Sequence, residues 1–334
     1  MGRERKARIL KSEYLLLDAS ERLRDYDKYE NQRGRQREIE TDMGKEAEER
    51  TVCFSISFFW CQSLMSDPYG RTIMRKAVLV VSFGTSHLDT MEKTIGAIEK
   101  ALAEAFPDRA LYRAFTSGMI LKKLKSEFQM EICDVEEAME QMIRDGIEDL
   151  RIQPTHIIHG FEYEKMTEQI EPYRERFETI RIGAPLLATM EDYEEAVHLI
   201  MEDAGLKEEE TLVLMGHGTE HHTNAAYPAL DYTFWAKGYR NVVVGTVEGF
   251  PEMEEVLKKL KEQQAGKILL MPFMIVAGDH AKNDMAGEDA DSWKSILTRE
   301  GYEVRTVLKG LGEIPGIRQM FVRHAREAKE CPKG

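Results

Sequence analysis

The sequence predicts an α/β protein made of two similar, doubly wound parallel-sheet domains that face each other across a cleft. Three observations lead there. From Lys76 onward, apolar runs of strand length alternate with amphipathic segments of helix length. Two motifs recur in the same order in the two halves of that region. The residues suited to metal chemistry fall directly after expected strands, where open parallel sheets bind their ligands.

Strands are expected at 77–83, 110–115, 152–158, 179–182, 211–215, 241–245, 267–271 and 303–307. Helices are expected between them, at 90–106, 135–145, 163–177, 192–203, 251–263 and 289–300. Strands joined by helices of this length form right-handed βαβ units. The repeat is carried by Val78-Leu-Val-Val-Ser-Phe-Gly-Thr85, which aligns with Leu212-Val-Leu-Met-Gly-His-Gly-Thr219, and by Gln153-Pro-Thr-His-Ile-Ile-His-Gly160, which aligns with Met271-Pro-Phe-Met-Ile-Val-Ala-Gly278. Either match alone could be chance between buried strands. Both in the same order, each with a matched glycine, favour internal duplication.

The resulting division is an extension over 1–74, an N-terminal domain over 75–205 and a C-terminal domain over 206–334, whose last helix has the option of packing back on the first domain. The first fifty residues carry thirteen Lys/Arg and thirteen Asp/Glu, so the formal charge of −14 sits on the remainder. Gly34 and this charge density argue against a packed domain there, and an apolar patch at 52–65 lies too deep in the chain for an export signal. A poorly ordered extension is the expectation.

Composition narrows the function. With 42% hydrophobic and 32% charged residues the chain has a globular balance. Its acidity argues against general nucleic-acid binding, which needs a basic face. No apolar run reaches the roughly 20 residues that span a bilayer. Cys53, Cys61, Cys133 and Cys331 form no CxxC pair, which fits a reducing, cytoplasmic setting. Neither a GxGxxG nor a P-loop is present, which argues against a phosphate-binding enzyme.

Counting two residues past each matched glycine gives Glu162 in the first half and His280 in the second. A pseudo-two-fold axis would place them on opposite walls, with His217, between Gly216 and Gly218, close by. Two imidazoles and a carboxylate suit a borderline divalent ion, and without a cysteine they would release it. One ion shared by all three would sit at ligand distances of roughly 2.0–2.2 Å. Each residue also has a plainer role: His217 as a cap, His280 paired with Asp279, Glu162 as a first-turn acid favoured by the helix dipole. His156 and His159, near a strand end, could support a ligand; His87, His198 and His324 read as surface residues. Adjacent His221 and His222 cannot face one site together on a helix.

Residues 75–328 resemble the sirohydrochlorin cobaltochelatases of anaerobic cobalamin biosynthesis, relatives of the protoporphyrin ferrochelatases. The likeness is carried by Leu79-Val-Val-Ser-Phe-Gly-Thr-Ser86, Arg113-Ala-Phe-Thr-Ser-Gly-Met-Ile120, Glu162-Tyr-Glu-Lys165, Met215-Gly-His-Gly218 with His221-His222, Met271-Pro and Val276-Ala-Gly-Asp-His280, Asn283-Asp-Met285 and Asp291-Ser-Trp293. The resemblance implies the chelatase fold and insertion of Co²⁺ into sirohydrochlorin without ATP or an organic cofactor; the ligand set prefers none of Co²⁺, Fe²⁺ and Ni²⁺ sharply, so iron or nickel insertion is the alternative. It also implies metal held by His217, Glu162 and His280. The partners are then a tetrapyrrole and a divalent metal ion; a homo-oligomer stays open. His217 is the expected base, since imidazole titrates near neutrality. Arg113 is expected to meet a carboxylate of the ring, with Ser82, Thr85, Ser86 and Ser117 donating hydrogen bonds. Non-catalytic carriage of metal or ring is the competing class.

Deleting residues 1–73 should leave a folded, active protein, because the regular pattern begins only after Met74. Thermal melting and solubility of the truncated chain check this; loss of a cooperative melt would mean that 52–65 packs on the core.

Overall fold

A computed structural model describes residues 75–331. The expectations for 1–74 lie outside the described residues. The chain begins with β1 (Lys76–Ser82) and a helical run comprising α1 (Leu88–Met91), a π turn at Glu92–Gly96 and α2 (Ala97–Ala105). There follow β2 (Ala110–Phe115), α3 (Gly118–Phe128), α4 (Val135–Arg144), β3 (Asp149–Pro154), α5 (Phe161–Ile170), β4 (Thr179–Ile182) and α6 (Met190–Asp203). The second half runs β5 (Glu210–Gly216), α7 (Ala226–Ala236), β6 (Val242–Thr246), α8 (Met253–Glu262), β7 (Lys267–Phe273), α9 (Trp293–Arg299), β8 (Glu303–Thr306), α10 (Pro315–Arg326) and β9 (Lys329–Glu330).

Two sheets form, in the orders β2-β1-β3-β4-β9 and β6-β5-β7-β8. All pairs are parallel except β4–β9. The first four strands of each half therefore share one topology, with β1 and β5 as matching central strands. The register agrees in detail: Val81 pairs with Ala114 and Pro154, as Met215 pairs with Gly245 and Pro272.

Alternation along β1 sends its side chains into two cores. Leu79 and Val81 pack in a cluster with Met139 and Met142 of α4. Val78 and Val80 enter a larger cluster that also holds Leu212 and Leu214 of β5, Ile200 of α6 and Phe321 of α10. One apolar core thus joins both sheets. The last helix, α10, contacts α2 and β3, and β9 then adds an antiparallel edge to the first sheet.

Among the differences from expectation, three stand out. β3 starts at Asp149 and ends at Pro154, leaving Ile157 and Ile158 in the following loop. The charged start is tolerated because Asp149 is paired with Arg109 at 2.6 Å and Arg181 at 3.2 Å. The helix expected over 163–177 becomes α5 followed by a 3₁₀ turn at Glu171–Arg176, where Pro172 cannot supply the amide an α-helix needs. β9, two exposed residues long, has no strand-like pattern to betray it. Among the described residues no helix is long and apolar enough to cross a membrane.

His324 is not a surface residue. It is buried, its Nε2 lies 2.8 Å from Asp192 Oδ1, and Arg323 Nη2 donates to the same oxygen at 2.6 Å. Asp192 also closes a capping box with Thr189, so one carboxylate ties the start of α6 to α10. Burial opposes its ionisation, but the hydrogen bond and charge of His324 and the bonds from Thr189 outweigh it and hold the carboxyl well below its usual range. A carboxylate depressed in the folded state stabilises above its unfolded pKa and loses that contribution as pH falls. Asp192→Ala should therefore cost about 3–5 kcal/mol at neutral pH, as breaking one partner of a buried pair does. Urea denaturation at pH 7 and below pH 4 checks both parts, the mutant's deficit shrinking in acid.

Candidate metal centre

In each sheet the chain turns to opposite sides of the central strand, the switch-point topology at which open parallel sheets bind ligands beyond the carboxyl ends of their strands. His217 follows β5, Glu248 follows β6 and His280 follows β7. One ligand atom from each of these three residues lies within 4.8 Å of the others, and all three are partly exposed. The His217 and His280 rings meet edge to face, with centroids 4.6 Å apart. His217 Nδ1 is 3.8 Å from Glu248 Oε2.

Glycine makes this convergence sterically feasible. Gly218 has φ +83°, a left-handed value that favours glycine, and a methyl group there would fall 2.6 Å from the Gly249 amide nitrogen. The Glu248–Gly249 loop can therefore lie on the backbone beside His217, where the Glu248 amide donates to the His217 carbonyl at 2.8 Å.

Both rings are oriented through Nδ1. His217 Nδ1 donates to the Gly218 carbonyl at 2.9 Å, and His280 Nδ1 lies 2.7 Å from Asp284 Oδ2 one helical turn on. A proton on each Nδ1 leaves each Nε2 lone pair free for an ion. Asp279 is not the partner of His280: its Oδ1 lies 3.0 Å from Nε2 of His87, linking the loops after β7 and β1. His87, expected on the surface, is thus half-buried in a contact between the halves. His221 makes a second such contact, with its Nε2 3.2 Å from Glu164 Oε1 and its ring 4.7 Å from that of Phe161. The carboxyl ends of the two sheets therefore face each other.

Glu162 lies in the first turn of α5, in the first half, and is not a member of the close group. Its Oε2 is buried without a hydrogen-bond partner. Glu248 stands in no recognisable motif of the sequence, although the repeat contains the signal. Ser117 donates its amide to Phe83 O as Glu248 does to His217 O, so Glu248 is the counterpart of Ser117. The two residues share no chemistry, and comparing residue types hides the match.

The residues expected to meet the ring are distributed differently. Arg113 is engaged with buried Glu99 of α2, donating through Nε at 2.6 Å and through Nη2 as well. Ser82 is buried and accepts from Thr155 Oγ1 at 2.8 Å. Ser117 caps α3 by accepting from the Ile120 amide at 3.4 Å. Thr85 Oγ1 accepts from the His87 amide at 3.2 Å, and Ser86 Oγ is buried without a partner. His156 has two unpartnered ring nitrogens, and burial pushes its pKa down to about 4. His159 stacks obliquely on Tyr163, with centroids 4.1 Å apart.

The cobalt chelatase (CbiK) family matches residues 76–330. The sirohydrochlorin cobaltochelatase of Salmonella typhimurium is 43% identical over 256 residues, covering 76% of this chain and 97% of the relative. The sirohydrochlorin cobaltochelatase CbiKC of Nitratidesulfovibrio vulgaris is 31% identical over 258 residues, covering 76% of this chain and 90% of the relative. Among solved structures, SirB from Bacillus subtilis with Fe³⁺ aligns with a TM-score of 0.53 at 14% identity, covering 76% of this chain and 95% of its own, a likeness of fold.

If His280 binds metal through Nε2, Asp284→Asn should weaken Co²⁺ affinity by roughly 10–100-fold, as loss of a ligand's supporting carboxylate does. Calorimetric titration of the protein with Co²⁺ measures this. Wild-type affinity in the variant would mean that Asp284 does not orient the ring.

Proposed function

The chain belongs to the cobalt chelatase (CbiK) family, and on that premise we propose that it inserts Co²⁺ into sirohydrochlorin, releasing two protons, without ATP or an organic cofactor. The observation that carries the proposal is the convergence of His217, Glu248 and His280 at a partly exposed switch point. An open nitrogen and carboxylate set suits an ion that must be taken up and passed on, whereas a resident structural metal is enclosed. The relatives from Salmonella typhimurium and Nitratidesulfovibrio vulgaris both carry the name sirohydrochlorin cobaltochelatase.

Metallation exchanges two pyrrole N–H protons for one M²⁺. In this proposal His280 and Glu248 hold the ion beside the ring, and its charge lowers the pKa of the pyrrole nitrogens. His217, with Nδ1 committed to a carbonyl, presents Nε2 as the proton acceptor or as a third ligand. Glu162, on the facing half, has an unpartnered carboxylate oxygen that can take the second proton or join the metal. The segments 75–205 and 206–331 act as the two walls around the ring. Ser86 and Thr85 remain candidate donors to it, whereas the guanidinium of Arg113 serves chiefly to neutralise Glu99. A cytoplasmic setting belongs to the same proposal and fits the sparse cysteines of the chain, which form no CxxC pair.

Fe²⁺ and Ni²⁺ are the competing ions, because this ligand set discriminates weakly among them. The test is an anaerobic absorbance assay of sirohydrochlorin with Co²⁺, Fe²⁺ and Ni²⁺ in turn. His217→Ala should lower kcat for Co²⁺ by roughly 10²–10⁴-fold while ring binding persists. Binding of ring and metal with no turnover in the wild-type protein would instead identify a carrier.

A further inference from the structure

The first half repeats the backbone of the metal-binding loops but carries different side chains. Thr116 N donates to Ser82 O at 2.9 Å and Ser117 N to Phe83 O at 3.2 Å; Val247 N donates to Gly216 O and Glu248 N to His217 O in the same manner. Gly84, like Gly218, has positive φ. Phe83 and Ser117 thus occupy the positions that His217 and Glu248 hold in the second half. Where the second half gathers ligands for a cation, the first half presents donors.

Lys165, on α5, donates from Nζ to the Thr116 carbonyl at 2.7 Å. Among the described residues no carboxylate lies within ion-pairing distance of it, although the chain carries more acids than bases. Its neighbour Glu164 is turned toward His221 instead. The same Thr116 carries a buried hydroxyl with no partner. Ser117 then caps α3, an eleven-residue helix, by accepting from the Ile120 amide. That leaves the amides of Gly118 and Met119, which have no intrahelical acceptor. A methyl group placed on Gly118 would meet nothing within 4 Å, and Gly118 and Met119 are both exposed, so this end of the helix is open to a ligand. Exposed Phe83 and Met119 flank it with apolar surface.

We infer that Lys165 and the first-turn amides of α3 bind a peripheral carboxylate of the tetrapyrrole and set the ring's orientation over His217, Glu248 and His280. This rests on the function proposed above. An ammonium and a helix N-terminus both favour an anion, and a carboxylate can accept from both at once. The arrangement supplies the local cation that an acidic protein needs to hold a polycarboxylate, a role the paired Arg113 is poorly placed to fill. Placing the anion site on one half and the metal site on the other keeps substrate carboxylates from competing for the ion.

The test is anaerobic steady-state kinetics with sirohydrochlorin and Co²⁺, together with absorbance titration of ring binding and calorimetric titration of Co²⁺. Lys165→Met should raise KM and weaken ring binding by roughly 10–100-fold, the effect of one charge-assisted contact made equally in ground and transition states, with kcat changed little. Lys165→Arg should recover most of the loss. Gly118→Asp should raise KM too, by repulsion, while leaving the melting temperature unchanged or higher, because an acid in the first turn suits the helix dipole. Co²⁺ affinity should stay at the wild-type value in all three. Wild-type KM and ring affinity in Lys165→Met would overturn the inference, as would a KM rise matched by lost Co²⁺ affinity or a lowered melt. Failure of the functional proposal is a separate outcome: the wild-type protein would not metallate the ring, and the binding titration would still report on Lys165.

Discussion

Close approach of the Glu248–Gly249 loop to Gly218 is the contact on which the candidate metal centre depends. With any side chain at Gly218 the loop would be pushed away by backbone contacts of 2.6–2.9 Å, and Glu248 would be carried from the imidazole it joins. The glycine brings no ligand atom. It permits two strand ends to deliver theirs to one place, and the Glu248 N–H to His217 O bond then fixes the spacing. The parallel sheet beneath sets the rest, since β5, β6 and β7 all end at the same edge.

Duplication explains how such a site can stand opposite a different one. The strand orders 2-1-3-4 and 6-5-7-8 are the same path traced twice, and the hydrogen bonds after the central strands repeat residue for residue. Backbone geometry is thereby conserved within the chain while side chains are free to differ. His217 and Glu248 replace Phe83 and Ser117, and His280 replaces Glu162. Ion pairs and ring contacts such as His87–Asp279 and His221–Glu164 hold the two edges face to face.

Charge is handled locally against a strongly acidic background. Many of the acids that lie inside or near the core are matched: Asp149 by Arg109 and Arg181, Asp192 by Arg323 and His324, Glu210 by Arg305, Glu99 by Arg113. Each pair answers the cost of burying a carboxylate and at the same time ties separate elements together. Around the centre the balance is different. The exposed His217, Glu248 and His280 are held by backbone and side-chain hydrogen bonds that leave atoms free for a ligand.

The sequence alone determined the α/β class, the alternation of strands and helices, and the duplication, because burial periodicity and strand-end glycines are written in consecutive residues. It also placed His217, Glu162 and His280 at strand ends, since the repeat could be counted. What it could not supply was any distance between loops that are far apart in the chain. Glu248 joins His217 only because β6 lies beside β5 and Gly218 admits its loop. Arg113 looked free and is paired, because its partner Glu99 sits on a helix that folds across β2. His324 looked superficial and is buried, because α10 returns to pack on the first half. Periodicity fixes which face of an element is buried; only tertiary packing decides which charged groups meet there, and therefore which remain free to bind.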